Sequence, residues 1–205
     1  MFILTALLSP AFAGEASYGI LCADISCASC QPAEIASASA DSTLAGNYGA
    51  QLAFDGDLST AWCEGDSGVG LHESINITLS KPGVIEAILV HGGYFKSAPL
   101  LAANGRVRAL NMVAGDAEGP QIRANVILQD PAAVPAADPC TPGETMALSA
   151  DEWFSRTQNA HGALFWTNDG DAQTVNQISF TLADVYPGAK YQDTCISEIQ
   201  ILMRE

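Results

Sequence analysis

The residues whose types and spacing best suit a chemical role lie between Asp55 and Thr60. Asp55 and Asp57 flank a glycine and Thr60 follows, so a curled loop would bring carboxylate, carbonyl and hydroxyl oxygens together. Calcium takes about six to eight such oxygen ligands. The segment is not an EF-hand, because the sequence after Asp57 lacks the third acidic position and the loop glycine. The same residues also suit an Asp-Gly turn capped by its own side chains, so both interpretations stay open.

Cysteine is the second residue type with chemical potential. The chain has six cysteines: Cys22, Cys27, Cys30, Cys63, Cys140 and Cys195. An even number in an exported protein predicts disulfides. The cluster of Cys22, Cys27 and Cys30 could alternatively supply three ligands of a zinc site, with Cys140 as the fourth. The spacing alone leaves the pairing of these four cysteines open.

Export is predicted by the first thirteen residues. Residues 1–8 are mostly apolar, and residues 11–13 read Ala-Phe-Ala, an A-x-A cleavage pattern. We therefore interpret residues 1–13 as a signal peptide, and a first strand of the fold is the alternative. A cleaved signal predicts a secreted, periplasmic or cell-surface location.

Charge limits the partners of this chain. It has 23 acidic and 8 basic residues, which gives a net charge of −15. Nucleic-acid backbones and anionic membrane surfaces both require a positive face, so neither is an expected partner. No run of 18 or more apolar residues indicates a membrane span.

Short apolar stretches separated by turns predict an all-β fold. Apolar residues alternate in 75–79 and 175–182, which is typical of half-buried strands. The other predicted strands are 84–90, 106–114, 122–128 and 195–203. Lys81-Pro82-Gly83 is expected to end the strand at 75–79 before the one at 84–90 begins. Helical periodicity is weak and confined to residues 150–156. We predict an antiparallel β-sandwich over 51–205, with an insertion around 131–172 and a disulfide-tethered N-terminal arm over 14–50.

Three blocks of sequence carry a resemblance to a known family. They read AFDGDLSTAWCEG (53–65), ILVHGGYFKSAPLLAANGRVR (88–108) and DVYPGAKYQDTCISEI (184–199). Together they resemble discoidin-like domains, the galactose-binding-like jelly rolls that include coagulation-factor type C domains. The closest resemblance is to the bacterial NADase-type glycan-binding domain. It implies a jelly-roll β-sandwich that binds glycans without catalysing a reaction.

The resemblance also implies a structural calcium ion. By position its ligands would be Asp55, Asp57, Thr60, carbonyl groups of the same loop, and Glu198. Glu198 has independent support, because a lone carboxylate in a buried apolar strand is costly without a cation or hydrogen-bond donors. If the loop and the Glu198 strand meet at one ion, Cys63 and Cys195 come close enough to form a disulfide.

The matching blocks also contain the candidate ligand-binding residues, which are polar or aromatic: Tyr94, Lys96, Asn104, Arg106, Tyr186 and Tyr191. They could instead form a polar network that holds the loops, with Arg106 on a carboxylate such as Asp193 or Glu64. Trp153 and Trp166 lie in the insertion, and either a sugar-binding groove or a hydrophobic plug would explain them. Trp62 is expected in the core.

No catalytic motif is recognisable in the sequence. A nucleophile elbow, an H-E-x-x-H helix and a phosphate loop are all absent. We therefore predict a non-enzymatic module that binds a glycan or a cell-surface polysaccharide. The alternative is a protein-interaction or surface-assembly module, whose acidic surface would favour a basic partner.

Overall fold

The computed structural model describes residues 17–20, 30–134, 149–164 and 173–204. The strands are β1 (Ser17–Ile20), β2 (Gln31–Pro32), β3 (Ile35–Ala40), β4 (Trp62–Cys63), β5 (Ser74–His91), β6 (Arg106–Asp116), β7 (Gly119–Ile127), β8 (His161–Leu164), β9 (Thr174–Tyr186), β10 (Cys195–Ile196) and β11 (Glu198–Arg204). The helices are α1 (Ala98–Ala103) and α2 (Ala150–Ala160), and Ala50–Ala53 forms a 3₁₀ turn. The predicted signal peptide, Cys22, Cys27, Cys140 and Trp166 lie outside the described residues.

The protein is an antiparallel β-sandwich, as the sequence predicted, and the long strand β5 belongs to both layers. Its first half pairs with β3 and β9, and its second half pairs with β11. One layer has the order β3-β5-β9-β6-β7, and the other contains β2, β11 and the second half of β5. The two layers therefore share one continuous strand.

The strand break predicted at Lys81-Pro82-Gly83 is wrong. β5 runs through these residues, and its pairing with β9 shifts register between Thr78 and Gly83. Proline cannot donate to a ladder, but it is tolerated at an edge or an irregularity. Pro82 is exposed where the register shifts, so the strand bends from one layer to the other instead of ending.

Alternating apolar side chains from the two layers form the core. Ile75, Ile77 and Phe180 point inward and are at most 3% exposed. Trp62 is fully buried, as expected, and its indole nitrogen donates a hydrogen bond to the Ser42 carbonyl at 3.1 Å. Burial of such side chains is the main favourable term in folding.

The N-terminal boundary predicted at residue 50 lies too late. β3 (Ile35–Ala40) pairs along the first half of β5, and β2 pairs with β11. β3 alternates only small Ala and Ser side chains after Ile35, which is too weak an apolar pattern to predict a strand, and pairing with β5 decides its conformation. Residues 31–40 are therefore part of the sandwich.

The two helices are short additions to the sandwich. Ser97 caps α1, since its hydroxyl accepts from the Leu100 N–H, and Pro99 lies in the first turn. The helix α1 was not expected from the sequence, which shows no helical periodicity there. The sequence did predict a weak helix over 150–156, which extends to Ala160, and Ser149 and Glu152 form a reciprocal capping box there. No helix among the described residues is long and apolar enough to cross a membrane.

Candidate functional site

Three loops meet at one end of the sandwich: residues 41–73, 92–105 and 187–197. The predicted disulfide between Cys63 and Cys195 is present and joins the first loop to the third. Backbone hydrogen bonds add to it, from Glu64 N to Thr194 O and from Gly105 N to Asp193 O. We call this region the loop end. It brings together segments that are more than 100 residues apart in the chain, since Cys63 and Cys195 are separated by 132 positions.

Oxygen atoms cluster around the Thr60 hydroxyl in the first loop. The hydroxyl lies 3.0 and 2.8 Å from the two carboxylate oxygens of Asp55. It also lies 2.9 Å from the Asp57 carbonyl oxygen and 3.5 Å from the Leu52 carbonyl oxygen. The loop thus curls as the spacing of Asp55, Asp57 and Thr60 predicted. We call this group the oxygen cluster.

Glu198 joins the oxygen cluster from the start of β11. Its Oε2 accepts a hydrogen bond from the Gly56 N–H at 2.9 Å. Burial raises the pKa of Glu198 to about 7, the Gly56 N–H opposes that shift, and the Asp55 carboxylate adds to it by repulsion. Gly56 has a φ of +76°, which glycine adopts without steric cost. The loop and the strand therefore meet at the Gly56–Glu198 hydrogen bond, with the Asp55 carboxylate close enough to Glu198 to raise its pKa.

The Asp57 carboxylate lies apart from the oxygen cluster. It is exposed and accepts the Ser59 N–H at 2.8 Å, which is the hydrogen bond of an Asx turn. Hydrogen bonding by the Ser59 side chain is the main cause of the lowered pKa of Asp57, and the Ser59 N–H and the positive charge of Lys96 contribute. Only the carbonyl group of Asp57 reaches Thr60. These hydrogen bonds are those of the capped Asp-Gly turn, and the calcium interpretation of the segment stays a prediction.

The donor chemistry of the oxygen cluster fits a hard cation. Carboxylates, carbonyl groups and a hydroxyl are the ligands that calcium takes in proteins. Within the described parts of the chain, no three acidic, histidine or cysteine side chains come together as a metal-binding group. Calcium at this position would therefore be held by Asp55 and Glu198, with the Thr60 hydroxyl and the Leu52 and Asp57 carbonyl oxygens completing the set.

Glu64 is a buried carboxylate that the sequence analysis did not single out as part of the site. It is 0% exposed, and its two oxygens accept the Thr194 and Asp66 N–H groups at 3.0 and 2.9 Å. Burial raises its pKa, and these two hydrogen bonds oppose the shift. The Glu64 side chain also packs directly against Gly70, whose φ is +70°. Glu64 therefore ties the first loop to the third, which is a structural role.

Tyr94, Lys96 and Tyr191 are the predicted ligand-binding residues that keep accessible polar or aromatic groups. Tyr94 is partly buried against the disulfide, and its ring meets the Tyr48 ring edge to face at 6.2 Å. Lys96 is exposed and close enough to Asp57 to lower its pKa. Tyr191 is 41% exposed, and the Lys190 ammonium lies 4.8 Å from its ring centre.

Asn104, Arg106 and Tyr186 use their polar groups within the protein. Asn104 Nδ2 donates to the Leu100 carbonyl at the end of α1, and the Tyr186 hydroxyl donates to the Leu128 carbonyl. Arg106 is buried, and its guanidinium forms two hydrogen bonds with the Asp130 carboxylate at 2.7 and 2.9 Å. The expected partner of Arg106 was Asp193 or Glu64, so that assignment is wrong. These three residues hold the loops in place, which agrees with the alternative that they form a polar network instead of a ligand-binding surface.

Trp153 lies in α2 and does not form an exposed platform. It is 3% exposed, and the neighbouring Phe154 stacks on Phe95 with ring centres 6.2 Å apart. Gln158 donates to the Phe95 carbonyl at 3.4 Å. This packing favours the hydrophobic plug over the groove for Trp153. Trp166 lies outside the described residues.

Residues 27–202 match the model of the NAD glycohydrolase translocation F5/8 type C domain family. The chain belongs to this family. The match extends from the cysteine cluster to the last strand, so it includes all three loops of the loop end. A comparison with curated proteins returned no match.

Two of the solved structures similar to this translocation-type F5/8 type C domain come from Clostridium perfringens. The CBM32-1 and CBM32-2 domains of ZmpB match with a TM-score of 0.52 and 11% identity, over 84% of this chain and 36% of that chain. The family 32 CBM of NanJ, solved in complex with galactose, matches with a TM-score of 0.51 and 17% identity. That match covers 81% of this chain and 92% of the other. At these identities the likeness establishes the shared β-sandwich fold.

Proposed function

We propose that this domain is an exported, non-catalytic glycan-binding module whose loop end binds the sugar and holds a structural calcium ion. The sugar would bind to the surface formed by Tyr94, Lys96 and the neighbouring loop of Asp55–Thr60. Asn104, Arg106 and Tyr186 would support that surface through their hydrogen bonds within the protein and would not contact the sugar.

The placement of Tyr94 and Lys96 beside the Asp55–Thr60 loop is the observation that carries the proposal. Tyr94 is held by the Tyr48 ring and the disulfide cluster, so its orientation is fixed before a ligand arrives. A rigid aromatic side chain can stack on a sugar face at little entropic cost, and Lys96 can donate to sugar hydroxyl groups. The galactose complex of the NanJ module adds support, since that protein shares the fold.

Calcium is proposed as a structural ion at the oxygen cluster. Asp55 and Glu198 would each contribute carboxylate oxygen, and the ion would offset the repulsion between the two carboxylates. The ion would fix the loop that lies next to Lys96. It would thereby preorganise the sugar-binding surface without contacting the sugar.

Export is supported by residues 1–13 and by the cysteine chemistry. The Cys63–Cys195 disulfide is a bond typical of oxidising compartments. Cys30 is also disulfide-bonded. The family match to a translocation and F5/8 type C domain is consistent with a binding role rather than catalysis.

Titration calorimetry with galactose, in the presence of calcium, tests the glycan site. Tyr94→Ala and Lys96→Ala should each weaken binding about tenfold, the effect of losing roughly 1.4 kcal/mol. Lys81→Ala is the matched control for Lys96, because Lys81 is exposed in the middle of β5 rather than at the loop end. A panel of N-acetylgalactosamine, mannose and glucose defines the sugar preference.

Two results would reject the glycan assignment. One is an absence of heat and thermal shift with every sugar of the panel while calcium still stabilises the protein. The other is unchanged affinity in both Tyr94→Ala and Lys96→Ala. In the first case a protein partner would be sought by pull-down with the calcium-loaded domain.

A further inference from the structure

A polar groove crosses the outward face of the layer β3-β5-β9-β6-β7, away from the loop end. Its cavity volume is about 480 Å³, within the range of about 300–1,000 Å³ that small-ligand sites occupy. Six hydroxyl and amide side chains line it: Ser37, Ser39, Asn76, Thr78, Gln177 and Ser179. We call this feature the sheet groove.

Strand register places these six side chains in two rows that run across three strands. Neighbouring strands are about 4.8 Å apart, so each row presents polar groups at regular intervals. The first row contains Ser39, Asn76 and Ser179, and the second contains Ser37, Thr78 and Gln177. Gly115 of β6 pairs with Gln177 of β9 and has no side chain, so the groove is open at this position of β6.

The polar groups of the two rows have no partner within the described structure. None of the six side chains takes part in a hydrogen bond among the described residues. The next pair along the same face differs, because the hydroxyl groups of Ser74 and Thr181 bond to each other at 2.9 Å. Hydroxyl and amide groups both donate and accept. The sheet groove therefore offers hydrogen-bonding capacity that the fold itself does not use.

The groove lining is almost free of charge in a chain with a net charge of −15. Asp116 is its one charged residue, and its carboxylate already accepts from Gln121 Nε2 at 2.6 Å and from the Glu118 N–H at 2.8 Å. A charged ligand would lose its hydration here without meeting an opposite charge. An uncharged ligand is therefore favoured.

The lining also contains no aromatic residue. Protein interfaces depend on aromatic and arginine side chains in buried pockets, and neither is present in the groove. A ligand rich in hydroxyl groups matches the two rows, since each hydroxyl can both donate and accept. The missing aromatic and arginine side chains disfavour a protein segment, and the two polar rows favour an uncharged, polyhydroxylated chain held by hydrogen bonds without aromatic stacking.

We infer that the sheet groove is a second binding site, which takes a segment of a linear neutral polysaccharide lying across β3, β5 and β9. Asn76 and Gln177 are its main contacts, because their longer amide side chains reach furthest into the groove from adjacent strands. The inference does not depend on the glycan site at the loop end, which uses different residues and a different face.

Chemical-shift mapping of ¹⁵N-labelled, disulfide-intact protein with cellohexaose, xylohexaose and mannohexaose tests the inference. At least one hexasaccharide should shift the amides of β3, β5 and β9, and Asn76→Ala/Gln177→Ala should weaken binding about tenfold. Asn111→Ala/Asn125→Ala is the matched control, because both residues are exposed on the same face outside the groove lining. That control should bind within about twofold of wild type.

Tyr94→Ala separates the two sites, since it should leave hexasaccharide binding at the groove unchanged. The inference is overturned if none of the three hexasaccharides shifts groove amides at millimolar concentration, or if hexagalacturonate binds there as well as they do. Equal loss in both double variants would also overturn it. Sedimentation of the free protein completes the test, because a dimer that Asn76→Ala/Gln177→Ala dissociates would assign the groove to a second copy.

Discussion

Glu198 Oε2 accepts a hydrogen bond from the Gly56 N–H at 2.9 Å, although the two residues are 142 positions apart. This contact joins the last strand to the first loop and brings the Glu198 and Asp55 carboxylates close enough to repel each other. A cation between them would relieve that repulsion. A cation bound at this contact should therefore stabilise the folded protein.

Calcium should raise the melting temperature of the wild-type protein. Calcium at 100 times its Kd adds about 2.7 kcal/mol to the free energy of unfolding. Asp55→Ala and Glu198→Gln should abolish the shift, because each removes a carboxylate of the oxygen cluster. Scanning calorimetry with calcium and with a chelator measures the melting temperature of each protein. Glu118→Gln also removes one negative charge, but from the exposed β6–β7 turn, and should keep the full shift.

Loss of Arg106 should destabilise the fold far more than loss of Arg108. The Arg106 and Asp130 side chains are only 8% and 19% exposed, so Arg106→Ala leaves a largely buried carboxylate and costs about 3–5 kcal/mol. The Arg108–Asp184 pair is 55% and 50% exposed, and Arg108→Ala should cost about 1 kcal/mol or less. Urea unfolding of both variants gives the comparison. Similar costs in the two variants would mean that Arg106 does not support the loops.

Removal of the Cys63–Cys195 disulfide should weaken both the fold and the loop end. Cys63→Ala/Cys195→Ala should lower the free energy of unfolding by about 2–5 kcal/mol, because the bond closes a long chain segment. Calcium affinity should fall with it, since the bond fixes the first loop against the third loop, which leads directly into Glu198 at the start of β11. Unfolding and calcium titrations on the same variant measure the two effects. Unchanged calcium affinity would show that Gly56 and Glu198 alone position the loop.

Acid should destabilise the protein through His91. Burial lowers the pKa of His91 below its ordinary value of 6.5, and its Nε2 hydrogen-bonds to the Gln158 carbonyl at 3.0 Å. At His91 the unfolded chain therefore binds more protons than the folded one just below pH 6.5, so its contribution to stability is full above that pH and is lost as the pH drops, whereas Glu198, whose pKa is raised to about 7, contributes a slope of the opposite sign. His91→Gln should therefore lose less stability than the wild-type protein as the pH falls from 6.5 to 5.

His72→Asn is the control for that profile, because His72 is exposed and its φ of +76° suits asparagine. Denaturant unfolding between pH 5 and pH 8 measures the slope in each protein. The assignment to His91 fails if His91→Gln keeps the wild-type slope or if His72→Asn removes it.

The sequence by itself determined the class of fold, because alternating apolar residues such as Ile75, Ile77 and Leu79 fix which side of a strand is buried. It also determined the curled loop of Asp55 and Thr60, whose hydrogen bonds are local in the chain. The three family blocks predicted that this loop meets Glu198 and that Cys63 pairs with Cys195.

Only the tertiary structure decided the rest, because those outcomes depend on partners that are distant in the chain. The Ser- and Ala-rich segment Ile35–Ala40 is a strand because β5 pairs with it, and Pro82 bends a strand instead of ending one. Arg106 is a support because Asp130 lies beside it in the fold. The sheet groove likewise exists only after register aligns polar side chains from three strands, a property that no single segment carries.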